Sequence, residues 1–193
     1  MTRAFNETQH HIFYDMGAGS TVAALVTFYP EVIKEGKLNR TVPVVEVKGF
    51  GYDSSLGGFI IDTRLANYLE EQFIEKNKKK LTSNVKESGR AKAKFMKEAN
   101  RVKQILSANT ETFASIENVI DEIDFKLKVT RAELEEMCKD VFARVAEPIN
   151  NVLEKTKLKV EDIHSLVVVG GGVRIPAVQE ILKNLIGEYA ISI

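Results

Sequence analysis

Six consecutive residues, Asp15-Met16-Gly17-Ala18-Gly19-Ser20, put a carboxylate, two glycines and a hydroxyl into one tight turn. Glycines let the backbone approach a ligand closely, and successive N–H groups in such a turn form an anion-binding concavity. Asp15, at the end of a strand, can hold a metal-bound water or orient an attacking one. The same two glycines also suit a plain hairpin turn. Near the other end of the chain, Gly170-Gly171-Gly172-Val173-Arg174 follows the apolar run 166–169 and leads into a helix with Pro176 in its first turn. A buried strand, a glycine turn and a helix start together offer N–H groups to a flat or anionic ligand, although many α/β proteins turn on glycines without binding anything. A third constellation, Asn100, Lys103, Gln104 and Ser107, shares one helix face beside the apolar stripe at 100° per residue. A cation, amides and a hydroxyl so aligned can read a ribose and a base, or form an ordinary solvated flank.

These residues need elements to hold them. Alternation and β-branching predict strands over 11–15, 21–29 and 41–47, the first glycine turn closing a hairpin between the first two. The polar stretch 31–37, with Gly36, predicts a second hairpin loop, and Val42-Pro43 marks a sheet edge or a strand start. Phe50-Gly51-Tyr52-Asp53 predicts a loop leading into a helix with Ile61, Leu65, Tyr68, Leu69 and Phe73 at intervals of three and four. That helix closes on Lys76-Asn77-Lys78-Lys79-Lys80, cations suited to a helix C-terminus. A second helix over 89–106 buries Phe95, Ala99, Val102 and Leu106, and two short strands, 111–120 and 124–129, flank Asp121-Glu122. Thr130 and Glu133 form a capping box before a helix that buries Leu134, Cys138, Val141, Val145, Ile149 and Val152. Pro148 either kinks this helix or divides it. Residues 158–164 read as a polar connector.

At 193 residues the chain is one large or two small domains. Hydrophobic residues make up 44% and charged residues 28%, ordinary for a globular protein. Twenty-seven basic residues balance 27 acidic ones, so no global field argues for nucleic acid. Locally, Lys86, Arg90, Lys92, Lys94, Lys97, Arg101 and Lys103 outnumber Glu87 and Glu98, a solvated face or a contact surface. Cys138 is the single cysteine, which excludes an internal disulfide, and its place on an apolar stripe makes it packed rather than reactive. No stretch approaches the ~20 apolar residues of a membrane span. Asn6-Glu7-Thr8 and Asn39-Arg40-Thr41 are glycosylation sequons, relevant only in a secreted or lumenal protein.

Five segments in order, FYDMGAGSTVA, YDSSLGGFIIDTRL, EANRVKQILSAN, IDFKLKVTRAELEEM and VVVGGGVRIPAVQEIL, resemble the Hsp70 (DnaK-type) heat-shock chaperones of the actin-like ATPase group. The resemblance covers 11–187 and implies an α/β fold, an actin-like (ribonuclease H-like) lobe with a mixed sheet, flanking helices and an inserted α+β subdomain. It implies a core subdomain over 1–56 and 139–193 and an insertion over 57–138, together lobe II of an ATPase domain whose lobe I is absent. By that resemblance Gly17, Ala18, Gly19 and Ser20 bind phosphate, with Asp15 as the catalytic candidate. Asn100, Lys103, Gln104, Ser107, Gly170, Gly171, Gly172 and Arg174 form the adenosine side of a clamp, facing Asp15–Ser20 across a cleft. Arg174 packs near the adenine or caps neighbouring carbonyls. The cofactor implied is ATP or ADP, with Mg2+ in the full-length protein and no direct metal ligand assigned here.

Departures from the family pattern point to its large, endoplasmic-reticulum-lumenal, glucose-regulated branch. Ala18 stands for glycine, Ser20 for threonine, Val22 for an aspartate near the metal water, Asn100 for glutamate, Gln104 for an adenine-stacking arginine and Gly172 for serine. The branch implies a lumenal location, ATP binding with weak or absent hydrolysis, and nucleotide exchange on the ordinary lumenal Hsp70. It also implies contact with unfolded or translocating polypeptides through missing C-terminal domains, and it makes Asn6 and Asn39 plausible glycosylation sites. An actively hydrolysing chaperone lobe is the alternative. This fragment by itself is expected to be inactive, because proximity between the catalytic groups of two lobes is lost.

Overall fold

β-Branched and aromatic residues recur through three strands that pair antiparallel in turn, β1 (Gln9–Met16), β2 (Thr21–Glu35) and β3 (Leu38–Asp53). The computed structural model describes residues 7–187 and 191–192. On the far side of β1, β6 (Ile163–Val169) runs parallel to it, Ile12 opposite Leu166 and Asp15 opposite Val169, and β7 (Ile191–Ser192) continues the sheet in parallel. The order β3-β2-β1-β6-β7 is a mixed five-stranded sheet with β3 at one edge. Pro43, which cannot donate to a ladder, sits on that edge strand as expected.

Both hairpin strands are longer than the sequence suggests. Residues 31–35 continue β2 and turn at Gly36 (φ 65°), so the reversal is two residues long and the polar stretch is ladder, not loop. Among the described residues the ribbon past Pro30–Pro43 has no third strand beside it, so both its faces tolerate polar residues. Phe50–Asp53 is likewise strand rather than loop, paired with Thr21–Ala24.

The chain divides into two compact units, one running through Gly57 and resuming at Arg144, the other Gly58–Ala143. In the first unit, Ile12, Tyr14, Met16, Ala23, Leu25, Leu166 and Val168 are buried on one sheet face with Ile149 and Val152 of α5 (Glu147–Thr156) and Val178 and Leu182 of α6 (Pro176–Ile186). Burial pushes the Tyr14 phenol up, and its hydroxyl donates to the Val145 carbonyl at 3.0 Å. α5 lies on β3 because Gly51 has no side chain: a Cβ there would stand 2.0 Å from the Pro148 carbonyl oxygen.

In the second unit, α1 (Gly58–Asn77) and α2 (Gly89–Ala108) cover the hairpin of β4 (Glu111–Ile120) and β5 (Ile123–Thr130). Such a hairpin is marginal alone. Phe73, Phe95 and Phe125, with ring centroids 5.5–6.1 Å apart, join the three layers. The Thr130–Glu133 capping box forms as read from sequence. The helix after it is divided twice, into α3 (Arg131–Met137), α4 (Lys139–Ala143) and α5, and Pro148 opens α5 from its first turn instead of kinking a longer helix. The connector before β6 contains a 3-10 turn, Val160–Asp162, and the strand already begins at Ile163. Among the described residues no helix is long and apolar enough to cross a membrane.

Candidate functional site

The two glycine turns sit side by side in the first unit. β1 and β6 are adjacent and parallel, so Asp15-Met16-Gly17 and Val169-Gly170-Gly171 leave the sheet at the same edge. The expected arrangement across a cleft is corrected here: both turns belong to one rim. They touch through Gly170 (φ 91°), where a Cβ would lie 2.4 Å from the Met16 carbonyl oxygen and 2.6 Å from Asp15 Oδ1. Gly172 is packed on Met16 in the same way, at 2.5 Å. On the other flank Gly57 abuts the first turn, a Cβ there meeting the Ala18 carbonyl oxygen at 2.4 Å.

Within the first turn, the Gly17 N–H donates to the Ser20 carbonyl at 3.0 Å. Ala18, Gly19 and Ser20 are exposed, and their N–H groups have no acceptor among the described residues. Gly19 and Gly171 differ from their neighbours: nothing lies within 4 Å of a Cβ at either, and neither has a positive φ. The fold does not require glycine at these two positions, so the open space over them is free for a ligand. Thr21 anchors the turn from below, its hydroxyl donating to the Leu56 carbonyl at 2.8 Å.

Asp15 is exposed at the rim, between Val22 on β2 and Val169 on β6, both also exposed. Its nearest ladder partners are therefore aliphatic. Among the described residues no three His, Cys, Asp or Glu side chains could hold a metal ion together. One carboxylate beside the first glycine turn would suit a magnesium ion held mainly by the phosphates of a nucleotide rather than by protein ligands. Arg174 is exposed and makes no hydrogen bond or ion pair among the described residues, so it caps no carbonyl.

The third constellation lies in the second unit, on α2. Lys103 Nζ donates to Asp62 Oδ2 at 2.8 Å and to the Gly58 carbonyl at 3.1 Å. Asn100 Nδ2 donates to the same Asp62 oxygen at 3.0 Å, Gln104 Nε2 to Asn100 Oδ1 at 2.8 Å, and Ser107 Oγ to the Lys103 carbonyl at 3.1 Å. The four residues do share a face, but they form a connected network rather than a solvated flank. Asp62 organises it and was not singled out in the sequence. It is 6% exposed, between Ile61 and Leu65 on the buried side of α1, and a carboxylate at such a position is the signal that could have found it. Of the seven basic residues around α2, Lys94, Arg101 and Lys103 are tied to carbonyls or carboxylates of this unit, whereas Lys86, Arg90, Lys92 and Lys97 are exposed. Asn39 is exposed on β3 beside the Gly36 turn, and Asn6 lies outside the described residues.

A mixed sheet of this order, flanked by helices and carrying an inserted α+β unit, is the fold of an actin-like ATPase lobe. The family model described as Hsp70 protein matches residues 4–192, and the chain belongs to the Hsp70 family. Hypoxia up-regulated protein 1 of Xenopus laevis is 45% identical over 184 residues, 95% of this chain and 28% of that protein. The proteins of that name from Mus musculus and Homo sapiens are each 41% identical over 180 residues, covering 93% of this chain and 18% of their own length. The chain thus spans less than a third of these relatives.

Proposed function

We propose that this chain is the second lobe of the ATPase domain of a large chaperone of the Hsp70 family, in the endoplasmic-reticulum lumen, that holds ATP or ADP. We further propose that the full-length protein promotes nucleotide exchange on the ordinary lumenal Hsp70 and so supports folding and translocation of polypeptides. One observation carries the reading: the paired glycine turns are intact, with Gly19 and Gly171 open to a ligand, while Asp15 stands between two valines.

Binding and turnover draw on different parts of that arrangement. The N–H groups of Ala18, Gly19 and Ser20 and the Ser20 hydroxyl supply phosphate donors. Candidates for the nucleoside side are Gly170, Gly171, Gly172 and Arg174 in the first unit and, taken separately, Asn100, Lys103, Gln104 and Ser107 in the second. Mg2+, when bound with the nucleotide, neutralises phosphate charge, and Asp15 can accept from its water. Val22 supplies no second acceptor there, so occupancy is retained while hydrolysis is weakened. The exposed Lys86, Arg90, Lys92 and Lys97 offer a contact face for the partner chaperone. Asn39, exposed beside a tight turn, is an accessible sequon for lumenal glycosylation.

The deciding experiment is stopped-flow release of labelled ADP from the lumenal Hsp70, with and without the full-length protein. Acceleration is expected; unchanged release overturns the exchange role. An actively hydrolysing chaperone is the second reading, favoured by the retained Asp15. Single-turnover hydrolysis at the rate of an ordinary family member would establish it instead.

A further inference from the structure

We propose that the cleft between α1 and α2 is a binding site for arginine, free or carried by a polypeptide, with the buried Glu70 carboxylate receiving its guanidinium. The cleft lies wholly within the second unit, and the site requires neither the nucleotide nor the exchange partner proposed above.

Three carboxylates are buried among the described residues, Asp62, Glu70 and Glu98, at 6%, 9% and 8% exposure. Asp62 meets Lys103 and Asn100. Glu98 accepts from the Arg101 guanidinium at 2.6 and 2.9 Å and from the Ser115 N–H at 2.6 Å. Glu70 makes no hydrogen bond or ion pair among the described residues. Its oxygens are not sealed in the core as Asp62 Oδ1 is, so the carboxylate opens on the cleft that it lines. No cation can come from its own helix, where the positions three and four away are Asn67, Ala66, Phe73 and Ile74. A buried charge without a counter-ion is costly, and this one is arranged to receive a cation from outside.

The cleft encloses about 390 Å³, a size that suits a small ligand or one long side chain. Ala66 and Phe95, both buried, and Met96 give it an apolar wall beside Glu70. A carboxylate next to such a wall favours a cation at the end of an aliphatic stem, because the stem covers the wall while the head reaches the charge. A guanidinium answers this better than an ammonium. Its planar fork donates two parallel bonds to one carboxylate, and it sheds water more readily. Lys86, just before α2, and Lys92 on it stand exposed at the rim with Glu71. That mixed rim suits a zwitterion, with a carboxylate of the ligand on the lysines. Free arginine brings its α-carboxylate, and a polypeptide brings an acidic residue beside the arginine.

Calorimetric titration of the 193-residue chain tests the site with four probes. These are L-arginine, L-citrulline (the same stem with an uncharged head), agmatine (no carboxylate) and a capped peptide carrying arginine followed by aspartate. Arginine should bind about tenfold more tightly than citrulline, the scale of a hydrogen-bonded charge. In Glu70→Gln that advantage should vanish while the melting temperature does not fall, since an unpaired buried charge is removed. Lys86→Ala combined with Lys92→Ala should weaken arginine several-fold and leave agmatine unchanged. A peptide that binds more tightly than arginine assigns the site to polypeptides, and the reverse assigns it to the free amino acid. Equal affinity for arginine and citrulline, or arginine binding unchanged in Glu70→Gln, would overturn the proposal. So would a wild type that binds neither arginine nor the peptide.

Discussion

Asp15 and Val22 stand directly opposite one another across the β1–β2 ladder, on the exposed face of the sheet at the mouth of the first glycine turn. Cross-strand partners share a face with Cβ atoms roughly 4.5–5.5 Å apart. The neighbour of the rim carboxylate is thus an isopropyl group, and no second charge stands opposite it in the ladder.

Substituting Val22→Asp places two carboxylates opposite each other. Like charges so paired are expected to cost about 0.2–1 kcal/mol in the absence of a cation. Thermal melts in chelator should therefore show a lower midpoint than wild type, and ATP with Mg2+ should recover it. A loss that Mg2+–ATP leaves untouched would show that the rim does not receive a metal–nucleotide complex.

Glycines at the two turns should separate into two classes. Gly57→Ala and Gly170→Ala drive a methyl into the Ala18 and Met16 carbonyl oxygens, and Gly170 has in addition a positive φ. Each should destabilise by about 1–3 kcal/mol in urea unfolding. Gly19→Ala and Gly171→Ala meet nothing in the protein, so stability should stay within about 0.5 kcal/mol while ATP affinity falls. Equal stability losses in all four variants would count against a ligand-reserved space.

Lys103→Met removes the cation from a buried carboxylate whose other oxygen, Oδ1, has no hydrogen-bond partner among the described residues. Breaking one side of a buried pair costs about 3–5 kcal/mol, whereas replacing both members is far milder. Adding Asp62→Leu to Lys103→Met should therefore recover much of the lost stability. A double-mutant cycle in urea reads the coupling, and strict additivity would deny it.

Asp121 accepts from the Ser83 hydroxyl and from the Ser83 and Thr82 N–H groups, and these bonds lower its carboxyl from 3.8 to about 2. A depressed folded-state value means that its contribution is complete above the unfolded value and is lost as pH falls through about 2. Asp121→Asn should accordingly lower the urea midpoint at neutral pH. The gap from wild type should narrow below pH 3.8 and close near pH 2. A gap that persists unchanged at low pH would remove the carboxylate from the account.

Much of the frame is local and legible in the sequence. The Thr130–Glu133 box, the helical stripes of α1 and α2 and the glycine turn after β1 depend on residues a few positions apart, and each forms as read. The polar line on α2 was also visible, because helix geometry alone aligns positions 100, 103, 104 and 107. The lengths of β2 and β3 were hidden, because an exposed ribbon pairs through its backbone whatever its side chains. Phe50–Asp53 looked like a loop for its glycine, but Gly51 is there to admit the Pro148 carbonyl.

Tertiary structure alone decided what these pieces do to one another. Parallel pairing of β1 with β6 brings two turns from opposite ends of the chain onto one rim, and no local period encodes such a contact. Packing of α1 on α2 converts Asp62, an oddity on an apolar stripe, into the group that orients Lys103 and Asn100. The sequence by itself determined which backbone turns and helix faces exist, since those follow from short-range sterics and hydrogen bonding. Which carboxylate meets which cation or amide was settled by burial, where a charge must find its partner across the fold.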